Sequence, residues 1–234
     1  MTEKTAFPGF TRETVRFFRG LKRNNDRAWF ERHRATYEQD VLAPARAFVV
    51  ALGTRLRTLA PRLIAVPKVN GSIFRINRDT RFSLDPSPYK TNLGLYFWEG
   101  TSSRMDASGF YVHVEPPELI LGGGVYVIPA PLLGRYRKAV VDPRRGQDLG
   151  RIIADLAASG ELTVEGAHYK RVPAGFDAGH PNAALLLHNG LFASWEGPLP
   201  EEFYSERLVD FCFARFAAMA PLHRWLVKAL WGSR

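Results

Sequence analysis

The chain has 234 residues, of which 46% are hydrophobic, 12% aromatic and 24% charged, with one cysteine and a net charge of +9. A chain of this mass buries about 72% of its unfolded surface, so its core needs no disulfide or metal staple, and one cysteine makes neither an internal disulfide nor a Cys-based zinc site. The aromatic content excludes a disordered chain, no run approaches a membrane-spanning length, and Met1-Thr2-Glu3-Lys4 lacks a signal-peptide layout, so a soluble, cytoplasmic protein without membrane association is expected.

The charge is uneven along the chain. Residues 1–105 hold 19 Lys/Arg against 9 Asp/Glu, and the remainder 13 against 14. Arginine outnumbers lysine 25 to 7, and its planar fork suits bidentate contact with phosphate and carboxylate. Two readings stand: an arginine-rich solvated surface, or a positive patch facing an anionic partner.

Residues 1–62 are expected to be helical. Thr11 caps a helix to about Arg19–Leu21, with Glu13 in its first turn and Phe10, Phe17, Phe18 and Leu21 buried. Asn24-Asn25 ends it and caps the next, in which Trp29, His33 and Tyr37 share a packing face. Pro44 kinks or restarts the run. Phe48, Leu52, Leu56 and Leu59 then repeat at helical spacing, and Pro61 closes it.

Period-2 alternation takes over across residues 66–128. Strands are expected at 73–78, at Leu93, Leu95 and Phe97, at 110–115, and on both sides of Gly122-Gly123-Gly124. The Pro116-Pro117 turn and the short connections give an antiparallel meander. Residues 129–234 are mixed. Pro131 opens a helix, and Leu149, Ile152, Ile153 and Leu156 line another, closed by Gly160. Leu162 and Val164 suggest a short strand. A short helix is expected before Asn189-Gly190, which ends it in the left-handed conformation, and a strand follows over 191–195. Two helices follow Ser205, with Pro221 near the start of the second. The fold class is α+β: one domain over 1–234, with a central, mostly antiparallel sheet packed by N-terminal and C-terminal helices.

The segment Phe74-Arg75-Ile76-Asn77-Arg78-Asp79-Thr80-Arg81-Phe82-Ser83 sets three guanidinium groups against one carboxylate. Ser87-Pro88-Tyr89-Lys90-Thr91-Asn92 adds a cation, a phenol and two hydroxyls. Arg75, Arg81, Tyr89 and Lys90 are therefore candidate ligands for a phosphate or carboxylate, with Asp79 orienting them and Arg78, on the opposite strand face, structural. The competing reading is a salt-bridged crossover that ties this loop to the first helices. His113 and Glu115, alternate residues of one strand, form a candidate acid/base pair or a plain hydrogen-bonded pair. No zinc-binding spacing supports them as metal ligands, so no metal and no cofactor is expected. The glycine triplet lacks the Walker and dinucleotide frames and reads as a bulge or a close backbone approach. His33, His180 and His188 read as packing, turn and cap residues, while His168 and His223 lack a sequence partner. Cys212 reads as a core thiol, and Ser194 and Ser83 lack a nucleophile-elbow context.

The motifs Asn24-Asn25-(x)3-Trp29-Phe30, Phe74-Arg75-(x)2-Arg78-Asp79-(x)-Arg81-Phe82-Ser83, Pro88-Tyr89-Lys90-Thr91, Gly109-Phe110-Tyr111 and Gly122-Gly123-Gly124 occur in order. With them the chain, roughly from Phe7 to Phe216, resembles a widespread conserved hypothetical family, mainly bacterial with fungal members, that is a domain of unknown function. The resemblance implies a single soluble domain and brings no activity, cofactor or catalytic residue.

Two functions remain in view. One is a pocket for an anionic small molecule, with Arg75, Arg81 and Lys90 holding charge, Tyr89 and Asp79 orienting it, and His113 and Glu115 moving protons. The other is a basic nucleic-acid-binding or adaptor module without enzymatic activity, suggested by Trp29, Phe74, Phe82 and Tyr89 among the cations. No helix-turn-helix, zinc-finger or RNA-recognition signature supports the second, so nucleic-acid binding is expected to be weak.

Overall fold

The computed structural model describes residues 6–81, 85–100 and 104–232. Phe82 and Ser83 of the arginine-rich motif lie outside the described residues.

Helix α1, Arg12–Arg23, starts where expected. Thr11 and Thr14 form a reciprocal capping box, which satisfies backbone N–H groups that have no partner within the helix. Asn24 ends α1, but Asp26 rather than Asn25 caps α2, Arg27–Arg32, by accepting from the Trp29 N–H. Asn25 is drawn away to the backbone of Tyr89, accepting from its N–H at 3.0 Å and donating to its carbonyl at 2.9 Å. A short α3, Arg34–Thr36, leads into a π-helical turn, Tyr37–Leu42, and then α4, Ala43–Leu56. The π turn sits where Pro44 cannot donate to the carbonyl four residues back, that of Asp40. That carbonyl instead accepts the Thr14 hydroxyl at 2.6 Å, so the helical irregularity becomes a tie between α1 and the π turn.

The sheet has six strands, all antiparallel: β1 Leu63–Ile64, β2 Leu93–Glu99, β3 Ser108–Glu115, β4 Glu118–Val125, β5 Thr163–Ala167 and β6 His188–Pro198, in the order β1-β2-β3-β4-β6-β5. The meander from β2 to β4 follows the expected runs. Residues 73–78, however, form no strand. They make isolated bridges, Ile73 with Leu95 and Asn77 with Tyr89, because the Arg78 and Lys90 N–H groups bond to Pro88 and Ile76 in a short arm of their own. The sheet also extends beyond 66–128, since β6 completes it against β4 and carries β5 at its edge. Asn189-Gly190 lies inside β6 and does not terminate a helix.

The last third supplies α5, Ala130–Val141, α6, Pro143–Ala158, and α7, Leu208–Trp231. Alpha7 is one helix of 24 residues with Pro221 inside it, where two helices were expected. It lies across β3, β4 and β6, and Phe216 meets Phe110 at 5.1 Å between ring centroids. Burying such a ring contributes about 1.5–3 kcal/mol. Gly123 makes this seat possible, because a Cβ there would lie 2.8 Å from the Met219 Cβ. Within the triplet, Gly123 is thus the close-approach point for α7, whereas Gly124, with φ +141°, closes on the Leu191 and Phe192 backbone of β6. Leu93, Leu95, Phe97, Phe110, Val112, Val114, Leu119 and Leu121 fill the core on the helix side. The alternate residues face the other way, and there the candidate site lies.

Among the described residues no helix is long and apolar enough to cross a membrane.

Candidate functional site

Alternation along β3 sends Phe110, Val112 and Val114 into the core and leaves Tyr111, His113 and Glu115 half-buried on the opposite face. His113 stands across from Gly94 of β2. A Cβ at Gly94 would fall 2.9 Å from the Tyr111 hydroxyl and 3.2 Å from the Phe74 ring. The missing side chain therefore makes room for both rings over the sheet.

A continuous polar chain results. The Tyr111 hydroxyl is 3.1 Å from His113 Nδ1, which also receives the Asn92 amide at 3.3 Å. His113 Nε2 lies 3.4 Å from Glu115 Oε2. Glu115 Oε1 accepts from the Thr91 hydroxyl at 2.8 Å and from Lys22, projecting from the last turn of α1, at 3.3 Å. Burial alone would raise the Glu115 carboxyl, but the bonds from Thr91, Lys22 and His113 outweigh it and hold it below the usual range. Burial pushes the Tyr111 phenol up to about 12.

Beside this chain the arm folds over the sheet and turns Phe74 edge-on to Tyr111, with ring centroids 6.0 Å apart. Arg104 lies over the Phe74 ring at 4.2 Å and Lys90 at 5.4 Å, a cation–π arrangement. Arg104 also donates to the Gly71 carbonyl. Burial, with repulsion from Arg75 and Arg104, holds the Lys90 ammonium below its ordinary value. Among the described residues no carboxylate oxygen lies within 4.0 Å of Arg75, Lys90 or Arg104.

The other candidates sit differently. Arg81 pairs with Asp79 in a two-point bond of 2.6 and 2.9 Å on an exposed loop, and the hydrogen bonds from Arg81 hold Asp79 down at about 2. Arg78 pairs with Asp85. Tyr89 is a packing residue: it is 6% exposed and stacks on Phe30 at 4.3 Å. The arm is thus partly the salt-bridged crossover that competed with the anion reading, and it reaches the first helices through Asn25 and Phe30. Arg104 and Tyr111 were missed by sequence reasoning. Tyr111 carried a usable signal, being two residues before His113 on one strand face, whereas nothing in the sequence links Arg104 to Phe74.

A second polar constellation is invisible in sequence. Ser108, His223 and Glu99, separated by up to 124 positions, meet on the helix side of the sheet. His223 Nδ1 is 2.8 Å from the Ser108 hydroxyl, and Nε2 is 3.0 Å from Glu99 Oε2. Arg62 bonds the other Glu99 oxygen at 3.2 Å. Ser108 and His223 are fully buried, so the hydroxyl cannot serve as a nucleophile toward a solvent-borne substrate, and the group acts as a packed, hydrogen-bonded buttress. The remaining histidines are local: His33 stacks on Trp29, His180 accepts from the Asn182 N–H, and His188 is 3.2 Å from the Gly190 carbonyl. Burial raises the Cys212 thiol far above its ordinary value, so it stays protonated and inert. Among the described residues no three His, Cys, Asp or Glu side chains gather closely enough to hold a metal ion.

Comparison with curated proteins finds no match. A family model does match, over residues 13–225, which takes in every strand, the arm and both polar constellations, and the chain therefore belongs to the conserved hypothetical protein family DUF2461.

Proposed function

We propose that the rim around Phe74 binds a small-molecule anion, a phosphate or carboxylate, through Arg75, Lys90 and Arg104, next to the proton-transfer pair His113 and Glu115. One observation carries this reading: three cations are gathered without a carboxylate in ion-pair range among the described residues, and two of them, Lys90 and Arg104, are held partly desolvated. Like charges brought together repel and lose hydration, so a fold that gathers them gains from a bound anion. Arg81 and Tyr89, occupied by Asp79 and Phe30, have no part in the set.

The test compares sodium sulfate with sodium chloride at equal ionic strength. Sulfate at ten times its dissociation constant stabilises the native state by about 1.4 kcal/mol, which raises the melting temperature of a domain this size by about 3–6 °C. Lys90→Met is expected to abolish the sulfate-specific shift while leaving the protein folded. Equal melting temperatures in the two salts would sink the anion site.

A nucleic-acid or adaptor surface is the second reading, and a different observation favours it. Clefts of about 240 and 320 Å³ flank the last turn of α7 and are bordered by Arg62, Arg135, Lys138, Arg145, Arg224 and Lys228. Lys138, Arg145, Arg224 and Lys228 are exposed. Phosphates along a strand would meet these side chains as dispersed, solvated charges.

A further inference from the structure

We propose that Tyr111 is the residue that exchanges a proton with the bound anion, with His113 as its base and Glu115 orienting the imidazole. The site then abstracts a proton from an anionic acid, either an O–H or a C–H next to a carbonyl. This deepens the anion-binding reading and rests on it for the substrate.

The donors around the ring argue for the direction of transfer. His113 Nδ1 faces a phenol O–H and an amide N–H, both able to donate, at 3.1 and 3.3 Å. An imidazole nitrogen between two donors serves as acceptor, so Nδ1 is unprotonated and Nε2 carries the hydrogen toward Glu115 at 3.4 Å. Glu115 in turn is kept as an anion by Thr91 and Lys22. The imidazole thus presents at Nδ1 an acceptor that the Tyr111 hydroxyl shares with the Asn92 amide, and has a carboxylate behind it to meet the charge it would acquire.

The Tyr111 proton passes to Nδ1 while the phenol oxygen takes the proton leaving the substrate, and the electron pair of the broken O–H or C–H bond stays on the substrate. Tyrosine is neutral before and after, His113 becomes an imidazolium paired with Glu115, and the substrate gains one negative charge. That new charge develops beside Phe74, which Tyr111 meets edge-on and which Lys90 and Arg104 overlie. Cations preset where charge appears lower the barrier most in a partly water-excluded place. The same groups that favour binding of an anion favour its conversion to a more negative one.

Two measurements test the assignment apart from the anion site. Nitrogen-15 NMR of the wild-type protein at neutral pH should show His113 as the Nε2–H tautomer with Nδ1 unprotonated, whether or not sulfate binds. Pyruvate, an anionic carbon acid, serves as the probe for exchange of methyl protons in D2O. Wild-type protein is expected to accelerate exchange about 100-fold over Tyr111→Phe, in the range of general acid–base catalysis, and His113→Gln should resemble Tyr111→Phe. An Nδ1–H imidazole at His113, or equal exchange by wild type and Tyr111→Phe, overturns the relay. Absence of a sulfate shift with the expected tautomer and exchange would instead overturn the cation set and leave the relay standing.

Discussion

At His223 a single side chain joins Ser108 on β3 to Glu99 at the end of β2. Removing one member of a buried, hydrogen-bonded polar group leaves its partners unsatisfied. His223→Ala is therefore expected to cost about 3 kcal/mol in urea unfolding, whereas Ser108→Ala, which deletes one neutral bond, costs about 1 kcal/mol. The hydrogen bond from His223, supported by Arg62, holds the Glu99 carboxyl below its ordinary value against the opposing effect of burial. A carboxyl depressed in the native state contributes stability that is present above its unfolded value, about 4.3, and is lost as pH falls through the folded value. Wild-type stability should thus decline in that acid window, and His223→Ala should flatten the decline; unchanged acid limbs in the two proteins would show that Glu99 is not linked to His223.

Between elements, contacts are decided by what is missing from a residue as often as by what it carries. Gly123 lets α7 lie against β4, with the Met219 Cβ only 2.8 Å from where a Cβ at position 123 would lie. Gly123→Val should destabilise the protein by about 1–3 kcal/mol through overpacking. Adding Met219→Ala should restore only part of the loss, because it removes Sδ and Cγ but keeps the clashing Cβ; full restoration would mean that the sulfur, not the helix seat, sets the limit. Asn25 plays the converse part, its amide doing for Tyr89 what a neighbouring strand would do for a strand residue. Asn25→Ala removes both bonds to the arm and is expected to cost about 1–2 kcal/mol. It should also raise hydrogen exchange at the Tyr89 amide, which then loses its acceptor.

Over the whole molecule three groups of cations bear on these readings. Arg81 and Arg78 are paired within the arm, Lys90 and Arg104 overlie Phe74 with exposed Arg75 close enough to repel Lys90, and Lys138, Arg145, Arg224 and Lys228 stand exposed around the end of α7. The third group belongs to the half of the sequence with no net excess of positive charge, so linear charge counting points away from it. If nucleic acid binds there, affinity should fall with salt at a log–log slope of about −0.9 per phosphate neutralised on a duplex and about −0.7 on single strands. Fluorescence anisotropy with unrelated oligonucleotides should show little sequence preference. Lys228→Ala should reduce the slope and Lys90→Met should leave it unchanged. A salt-insensitive, sequence-selective complex would contradict this reading.

Local sequence chemistry determined the elements whose driving force is local. The Thr11 cap, the buried stripe of Phe17, Phe18 and Leu21, the Leu93–Leu95–Phe97 alternation and the Pro116-Pro117 turn each depend on neighbours a few positions away. The segment around Ile73 carried the alternation of a strand without becoming one, because its hydrogen-bond partners are its own return limb and single residues of β2. Asn25 and Asn189-Gly190 have the chemistry of caps and turns, yet long-range bonds, to Tyr89 for Asn25 and from the Ile128 N–H for Asn189, engage them otherwise. The site divides in the same way. His113 and Glu115 fall on one face by strand period alone, and Lys90 was visible as an excess cation. Only the tertiary structure removed Tyr89 to the Phe30 stack, matched Arg81 to Asp79, and brought Arg104 and Tyr111 to Phe74. Ionic and aromatic partners are chosen by distance in space, and residues 30 positions apart, like Phe74 and Arg104, acquire a common environment only when the arm closes over the sheet.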